Sequence, residues 1–189
     1  MRIIIVIICK INLRACMDYR SRKSNRIPEY DYSQVGAYFV TICSHNRKHI
    51  FGNIVGDAAC KDAKHPVSVP HCELSKHGKI VNKYINNIST ANPNVSVDCY
   101  VIMPNHVHLL LCIHRQHNNG TPRAASPTKS VLAKTINALK GLATKEAGVP
   151  LWQRSFHEHV VRDEKDYLRI WQYIENNPHN WHNDEYYPQ

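Results

Sequence analysis

The chain contains no pair of cysteines spaced as Cys-x-x-Cys, although it has seven cysteines in 189 residues. These are Cys9, Cys16, Cys43, Cys60, Cys72, Cys99 and Cys112. An odd number of cysteines without that spacing argues against both a disulfide framework and a zinc finger. The pattern is typical of reduced thiols, and it therefore predicts a cytoplasmic protein.

The chain also lacks an apolar run long enough to cross a bilayer, so we expect no membrane partner. The most apolar segment, residues 3–9, has seven residues, whereas a spanning helix needs about 20. No small-residue cleavage site of the kind that ends a signal peptide follows it. A polar, basic stretch begins at the second methionine, Met17. We therefore expect residues 1–16 to be an extension outside the fold and residues 17–189 to form one domain.

Acidic residues are scarce, and no block of five or more like charges is present. The chain has 15 Asp and Glu against 24 Lys and Arg, a formal net charge of +9. Folding rather than a charged tail must therefore assemble the positive surface. Such an excess predicts a polyanionic partner, most often nucleic acid. The hydrophobic content of 43% is ordinary for a soluble domain with a real core.

Apolar periodicity predicts the order strand, helix, strand, strand, helix, strand, helix. The predicted strands cover 38–42, 95–103, 106–113 and 156–161, and the predicted helices cover 74–88, 131–143 and 163–177. This order is that of an α+β, ferredoxin-like fold (βαββαβ), an antiparallel sheet with helices on one face, followed by an extra C-terminal helix. Residues 57–72 are predicted to be an excursion from the core. Residues 114–129, which are polar and contain Pro and Gly, are predicted to be a flexible loop.

Two histidines on the predicted strand 106–113 form a candidate metal site. Because side chains alternate along a strand, His106 and His108 share one face while Val107 points to the other. Two neutral imidazoles can hold one divalent metal if a third ligand arrives from elsewhere in the fold. The alternative is two polar side chains on a half-buried strand, a spacing that chance can produce in a chain with 13 histidines.

The last predicted helix carries a tyrosine and an amide beside its apolar stripe. The stripe consists of Tyr167, Ile170, Trp171 and Ile174. Tyr173 and Asn177 fall at its margin and are four residues apart, so they are stacked neighbours on the helix surface. They can present a hydroxyl and an amide to the same point. The alternative is that Tyr173 is a boundary aromatic and Asn177 a C-terminal cap.

Several motifs in this order carry a family resemblance that spans about residues 17–187. They are Tyr30-Asp31-Tyr32 through Phe39-Val40-Thr41, Met103-Pro104-Asn105-His106-Val107-His108, Leu151-Trp152-Gln153-Arg154-Ser155-Phe156, and Asp166-Tyr167 through Tyr173-Ile174-Glu175-Asn176-Asn177-Pro178. The chain resembles the single-tyrosine HUH transposases of the IS200-like type, in particular their relatives associated with repetitive extragenic palindromes (REPs).

The resemblance implies a metal site with a neighbouring nucleophile. His106, His108 and Asn177 would be the metal ligands and Tyr173 the nucleophile. Some relatives have a glutamine as third ligand, where this chain has the shorter amide of Asn177. Mg²⁺ prefers oxygen ligands, so imidazole ligation makes Mn²⁺ a reasonable occupant as well.

The implied function is that of a DNA transposase, a metal-dependent single-strand DNA endonuclease and strand transferase with a 5′-phosphotyrosine intermediate. Its partner would be single-stranded or hairpin DNA. One alternative is a hairpin-recognising DNA-binding protein without cleavage activity, and another is a metal-dependent hydrolase that uses water. Tyr173 has no necessary role in the hydrolase. A monomer and a homodimer are both compatible with the sequence.

Basic residues near aromatic ones predict contacts to single-stranded DNA. The candidates are Arg47, Lys48, Trp152 and Arg154. For Trp152 the alternative is burial in the core. The lysines of the helix 131–143 and its continuation are predicted to form a solvated face; these are Lys134, Lys140 and Lys145.

Overall fold

The computed structural model describes residues 35–56, 69–114 and 130–187. The expected extension at residues 1–16 lies outside the described residues, as does nearly all of the predicted loop at 114–129. The motif that begins the family resemblance, residues 30–32, also lies outside them.

Six strands and four helices follow one another along the described chain. The strands are β1 (Gly36–Cys43), β2 (Gly52–Val55), β3 (His71–Leu74), β4 (Val95–Ile102), β5 (His106–Ile113) and β6 (His157–Val160). The helices are α1 (Lys76–Asn86), α2 (Ile88–Ala91), α3 (Val131–Ala147) and α4 (Glu164–Asn176), with 3₁₀ turns at His45–Arg47 and Trp181–Asn183.

Four of the strands form one antiparallel sheet in the order β4-β5-β1-β6. This is the strand order of a ferredoxin-like domain, and it confirms the predicted α+β class. Strand β5 lies in the middle of the sheet, between β4 and β1. A tight connection at residues 103–105 joins β4 to β5.

The two faces of the sheet pack against different helices. On one face, alternate residues of β5 (Val107, Leu109, Leu111) belong to the larger core, which α1 and α3 complete. On the other face, Leu110 packs in a smaller cluster with Ile170 and Ile174 of α4. The C-terminal helix therefore covers the face of β5 on which the two histidines lie.

The two-stranded sheet of β2 and β3 was not predicted. Residues of the expected excursion 57–72 contribute to it, because β3 begins at His71 and pairs antiparallel with β2. The helix expected from Leu74 begins at Lys76 instead, after Ser75, whose side chain accepts a hydrogen bond from the Gly78 N–H at 3.1 Å.

The prediction that the lysines of α3 form a solvated face is wrong for one of them. Lys140 is not on a solvated face. Its Nζ donates to the carbonyl oxygens of Gln153 and Arg154 at 2.7 and 3.1 Å, and burial lowers its pKa. Lys134 and Lys145 are exposed, as expected. With 17 residues, α3 is the longest helix in the described ranges, and none of those helices has the length and apolarity to cross a membrane.

Candidate active site

The two histidines of β5 lie side by side in the interior, on the face covered by α4. His106 and His108 are both buried, and their ring centroids are 4.5 Å apart. The antiparallel pairing with β1 places Thr41 opposite His108 and Cys43 opposite His106. The Phe39 ring stacks on His108 with centroids 5.1 Å apart.

Each imidazole is held through its Nδ1 atom. Asn105 Oδ1 lies 2.9 Å from His106 Nδ1; because an amide oxygen can only accept, this Nδ1 carries the proton. Thr41 Oγ1 lies 2.9 Å from His108 Nδ1 and can accept in the same way. Both Nε2 atoms are then available as ligands, and His106 Nε2 is buried without a hydrogen-bond partner. Metal-bound histidines are typically oriented by such a contact at the other ring nitrogen.

Burial keeps both imidazoles neutral. It lowers the pKa of His108 to about 3. It also lowers the pKa of His106 well below its ordinary value, with the neighbouring His108 adding to the effect. The neutral imidazole is the form that binds a metal ion, so at neutral pH the pair is ready to act as a ligand.

Tyr173, on α4, points toward the histidines. Its hydroxyl is 3.4 Å from His108 Nε2, and its ring contacts His108 edge-on with centroids 5.2 Å apart. Tyr173 is nevertheless 42% exposed, so a ligand from solvent can approach it. Burial of the hydroxyl and the nearby Asp184 raise the pKa of Tyr173. The phenol therefore keeps its proton at neutral pH in the structure as it stands.

Asn177 follows the last residue of α4 and turns its side chain inward. The residue is buried, and its Nδ2 donates to Asp184 Oδ2 at 3.1 Å. Its Oδ1 is buried and has no hydrogen-bond partner of acceptable geometry within the described residues. An unpaired buried carbonyl oxygen is costly, and it marks Asn177 as a candidate oxygen ligand.

Asp184 is a site residue that the sequence did not single out. Its carboxylate and one ring nitrogen from each of His106 and His108 all lie within 4.8 Å of one another. Asp184 comes from the irregular segment after α4, seven residues beyond Asn177. No periodic pattern extends over that segment, so no spacing rule could have linked Asp184 to the histidines.

The segment that carries Asp184 packs over the histidine pair. The Tyr186 ring lies 4.5 Å from the His106 ring, measured between centroids, and the Tyr186 carbonyl accepts from Asn105 Nδ2 at 2.7 Å. The Arg47 guanidinium lies over the Tyr186 ring at 5.1 Å. Backbone and ring contacts thus hold the C-terminal segment against the turn between β4 and β5.

The donor set fits a divalent metal ion. Two neutral imidazole nitrogens, His106 Nε2 among them unpaired, converge with the unpaired Asn177 Oδ1. A mixed set of nitrogen and oxygen ligands suits Mn²⁺ and, with more oxygen, Mg²⁺. The residues that the resemblance named as ligands therefore present buried donor atoms on one side of the sheet, and two of these atoms, His106 Nε2 and Asn177 Oδ1, have no hydrogen-bond partner among the described residues.

The four predicted DNA-contact residues divide into two groups. Arg47, Lys48 and Arg154 are exposed, and Arg47 lies beside the site through its contact with Tyr186. Trp152 is different: it is 8% exposed and packs against Phe51 with ring centroids 4.9 Å apart. Its ring belongs to the larger core, which agrees with the alternative of burial that the sequence left open for Trp152.

Fold and site together define a class: a ferredoxin-like domain whose central strand carries a histidine pair facing a tyrosine-bearing helix. The model of the family described as IS200-like transposases matches residues 32–177. The chain belongs to the IS200-like transposase family.

Individual relatives agree with that assignment. A protein of Haemophilus influenzae without assigned function is 32% identical over 180 residues, which cover 88% of this chain and 93% of that protein. A candidate REP-associated tyrosine transposase of the same organism is 32% identical over 80 residues, 41% of this chain and 46% of that protein. The solved structure of a REP-associated tyrosine transposase bound to a REP hairpin aligns with a TM-score of 0.53 at 20% identity, covering 82% of this chain and 76% of that one. This last match shows the shared fold.

Proposed function

We propose that this transposase cuts single-stranded DNA and transfers the cut strand through a covalent bond to Tyr173. One observation carries the proposal: the Tyr173 hydroxyl lies 3.4 Å from the imidazole of His108, in a pocket where His106 Nε2 and Asn177 Oδ1 are buried and unpaired. The proposed nucleophile therefore lies beside the proposed metal ligands.

The chemistry follows from the tyrosine oxygen. Tyr173 Oη attacks a backbone phosphorus, the bond from phosphorus to the 3′-oxygen breaks, and the strand is left with a free 3′-hydroxyl and a 5′-phosphotyrosine. Water that enters with the DNA takes the phenolic proton, and water returns one to the leaving 3′-oxygen. Attack by another strand's 3′-hydroxyl reverses the step, joins that strand and frees Tyr173, so no external energy source is needed.

The proposed cofactor is Mg²⁺ or Mn²⁺, held by His106, His108 and Asn177. When bound, such an ion supplies positive charge for the phosphate oxygens in the transition state. The protein's own contribution is to keep both imidazoles neutral and oriented, through burial and through Asn105 and Thr41.

The proposed substrate is a single strand or a hairpin of DNA. The net charge of +9 and the exposed Arg47, Lys48 and Arg154 suit a phosphate backbone. A structure of similar fold is that of a protein bound to a REP hairpin, which makes a hairpin the first substrate to test. Cys43, Cys72, Cys99 and Cys112 are free thiols, in keeping with action in the cytoplasm, where the DNA is.

A covalent adduct tests the proposal directly. The purified chain is incubated with hairpin-containing single-stranded DNA and Mn²⁺ or Mg²⁺, then run on a denaturing gel. We expect an adduct with the native protein and none with Tyr173→Phe. Tyr167→Phe is the matched control: it removes a hydroxyl from the same helix, one that donates to Asp98 at 2.7 Å rather than facing the histidines. An adduct that persists in Tyr173→Phe would show that Tyr173 is not the nucleophile.

A second candidate function is hairpin binding without cleavage. The packing of the Tyr186 ring on His106 favours it, because that ring covers an imidazole proposed as a metal ligand. A gel shift with the hairpin, combined with intact DNA and no adduct, would support this alternative. Cut DNA without an adduct would instead support hydrolysis by water.

A further inference from the structure

We propose that Asp184 is a direct ligand of the divalent metal, so that the site has an anionic oxygen donor in addition to its imidazoles and amide. The inference rests on the proposed metal site and deepens it. It assigns a metal-binding role to the segment after α4, which the family model, matching residues 32–177, does not reach.

Geometry is the first argument. The Asp184 carboxylate forms a cluster with His106 and His108 in which all three ligand atoms lie within 4.8 Å of one another. Ligands of one ion with metal–ligand bonds of about 2.0–2.2 Å lie roughly 3 Å apart when adjacent and roughly 4 Å apart when opposite. Small side-chain movements would therefore bring the three atoms onto a shared ion.

The lack of a counter-charge is the second argument. Asp184 Oδ1 accepts from the Tyr186 N–H at 2.7 Å and Oδ2 from Asn177 Nδ2 at 3.1 Å. Among the described residues, no cationic side chain pairs with it. A half-buried carboxylate satisfied only by neutral donors is unfavourable. A divalent ion would supply the missing positive charge.

The way the segment is anchored is the third argument. Asn105, which orients His106, also donates through Nδ2 to the Tyr186 carbonyl. Trp181 is buried and contacts His49, with ring centroids 5.5 Å apart. One amide side chain therefore fixes both a histidine ligand and the backbone two residues after Asp184, which presents the carboxylate to the histidines.

Mn²⁺ binding to the full chain without DNA tests the proposal. Free aqueous Mn²⁺ is followed by electron paramagnetic resonance as protein is added, and each variant is checked for folding by circular dichroism. We expect Asp184→Asn to weaken Mn²⁺ binding by at least about tenfold, in the range seen for groups that support metal sites. Glu185→Gln is the matched control, because it removes an adjacent but exposed charge whose influence salt screens.

A second variant separates a ligand from a residue that only positions Asn177. Asp184→Asn keeps an oxygen that can accept from the Asn177 amide but loses the negative charge, whereas Asp184→Ala loses both. Weakening by at least about tenfold in both variants supports direct ligation. Native affinity in Asp184→Asn with weak binding in Asp184→Ala would overturn ligation and leave a positioning role.

The outcomes also separate this inference from the proposed function. If His106→Ala abolishes Mn²⁺ binding while Asp184→Asn and Asp184→Ala bind as the native chain does, the metal site stands and Asp184 is not part of it. If the native chain does not bind Mn²⁺, the ligand role of Asp184 is refuted together with the metal site. The phosphotyrosine adduct is measured separately, so its absence refutes cleavage without bearing on Asp184.

Discussion

Replacing Thr41 by valine isolates one hydrogen bond of the candidate metal site. The two side chains have nearly the same shape, so the change removes the hydroxyl and leaves the packing of β1 in place. In the native chain Thr41 Oγ1 lies 2.9 Å from His108 Nδ1, and both residues are buried. The variant therefore leaves the His108 Nδ1 atom without a partner in a place that water does not reach.

The expected magnitude follows from that lost partner. A buried polar group left unsatisfied costs about 1–3 kcal/mol, which for a domain of this size lowers Tm by roughly 2–4 °C per kcal/mol. We expect a Tm lower by about 4–8 °C for the middle of that range. The freed imidazole also loses its orientation, so Mn²⁺ affinity should fall about 10–100-fold.

The assay combines thermal unfolding with Mn²⁺ titration of the same samples. Thr135→Val is the control, because Thr135 is also a buried threonine but lies on α3, which packs on the other face of the sheet. It can lower stability but should leave Mn²⁺ affinity unchanged. If Thr41→Val bound Mn²⁺ as tightly as the native chain, Thr41 would have no part in orienting His108.

Two further predictions concern stability away from the metal donors. Burial would raise the pKa of Asp166, but hydrogen bonds from His159, the Arg162 N–H and Arg169 outweigh it and lower that pKa. The stabilisation by Asp166 is therefore present above the unfolded-state pKa of about 3.9 and is lost as the pH falls through the folded-state value. We expect Asp166→Asn to lower the free energy of unfolding by about 2 kcal/mol at pH 7. The difference in free energy of unfolding between the variant and the native chain, measured by urea titration, should disappear below pH 4. A difference that does not depend on pH would contradict this. Gly78→Ala should leave little folded protein, as measured by circular dichroism, because the added Cβ would collide with the Phe51 carbonyl. A native-like spectrum and Tm would show instead that the backbone can move to accommodate the methyl group.

Periodicity made the sheet and the candidate site partly predictable from sequence. The predicted ferredoxin-like order gave the antiparallel sheet, and the alternation of side chains along a strand gave the common face of His106 and His108. The helical wheel likewise put Tyr173 and Asn177 at the margin of the α4 stripe. In the structure the tyrosine is partly exposed and the amide is buried.

Sequence reasoning missed features that no repeating pattern of apolar residues marks. Asp184 lies in an irregular segment, and only the tertiary fold brings it to the histidines. The sequence could not place Trp152, and it misassigned Lys140, for a related reason. An aromatic ring and a long aliphatic side chain can each turn toward the core or toward solvent from the same backbone position, and composition does not say which.

The alternation along β5 has a consequence for how the sheet reaches its correct pairing. A shift of one residue between β1 and β5 would exchange the two faces of the strand. It would force His106 and His108 into the apolar layer beneath α1 and α3, where an imidazole finds no hydrogen-bond partner and its burial is costly. The leucines that now fill that layer would face α4 in their place. The two histidines thus disfavour the misaligned sheet, so the residues proposed to bind the metal also favour the strand pairing that positions them.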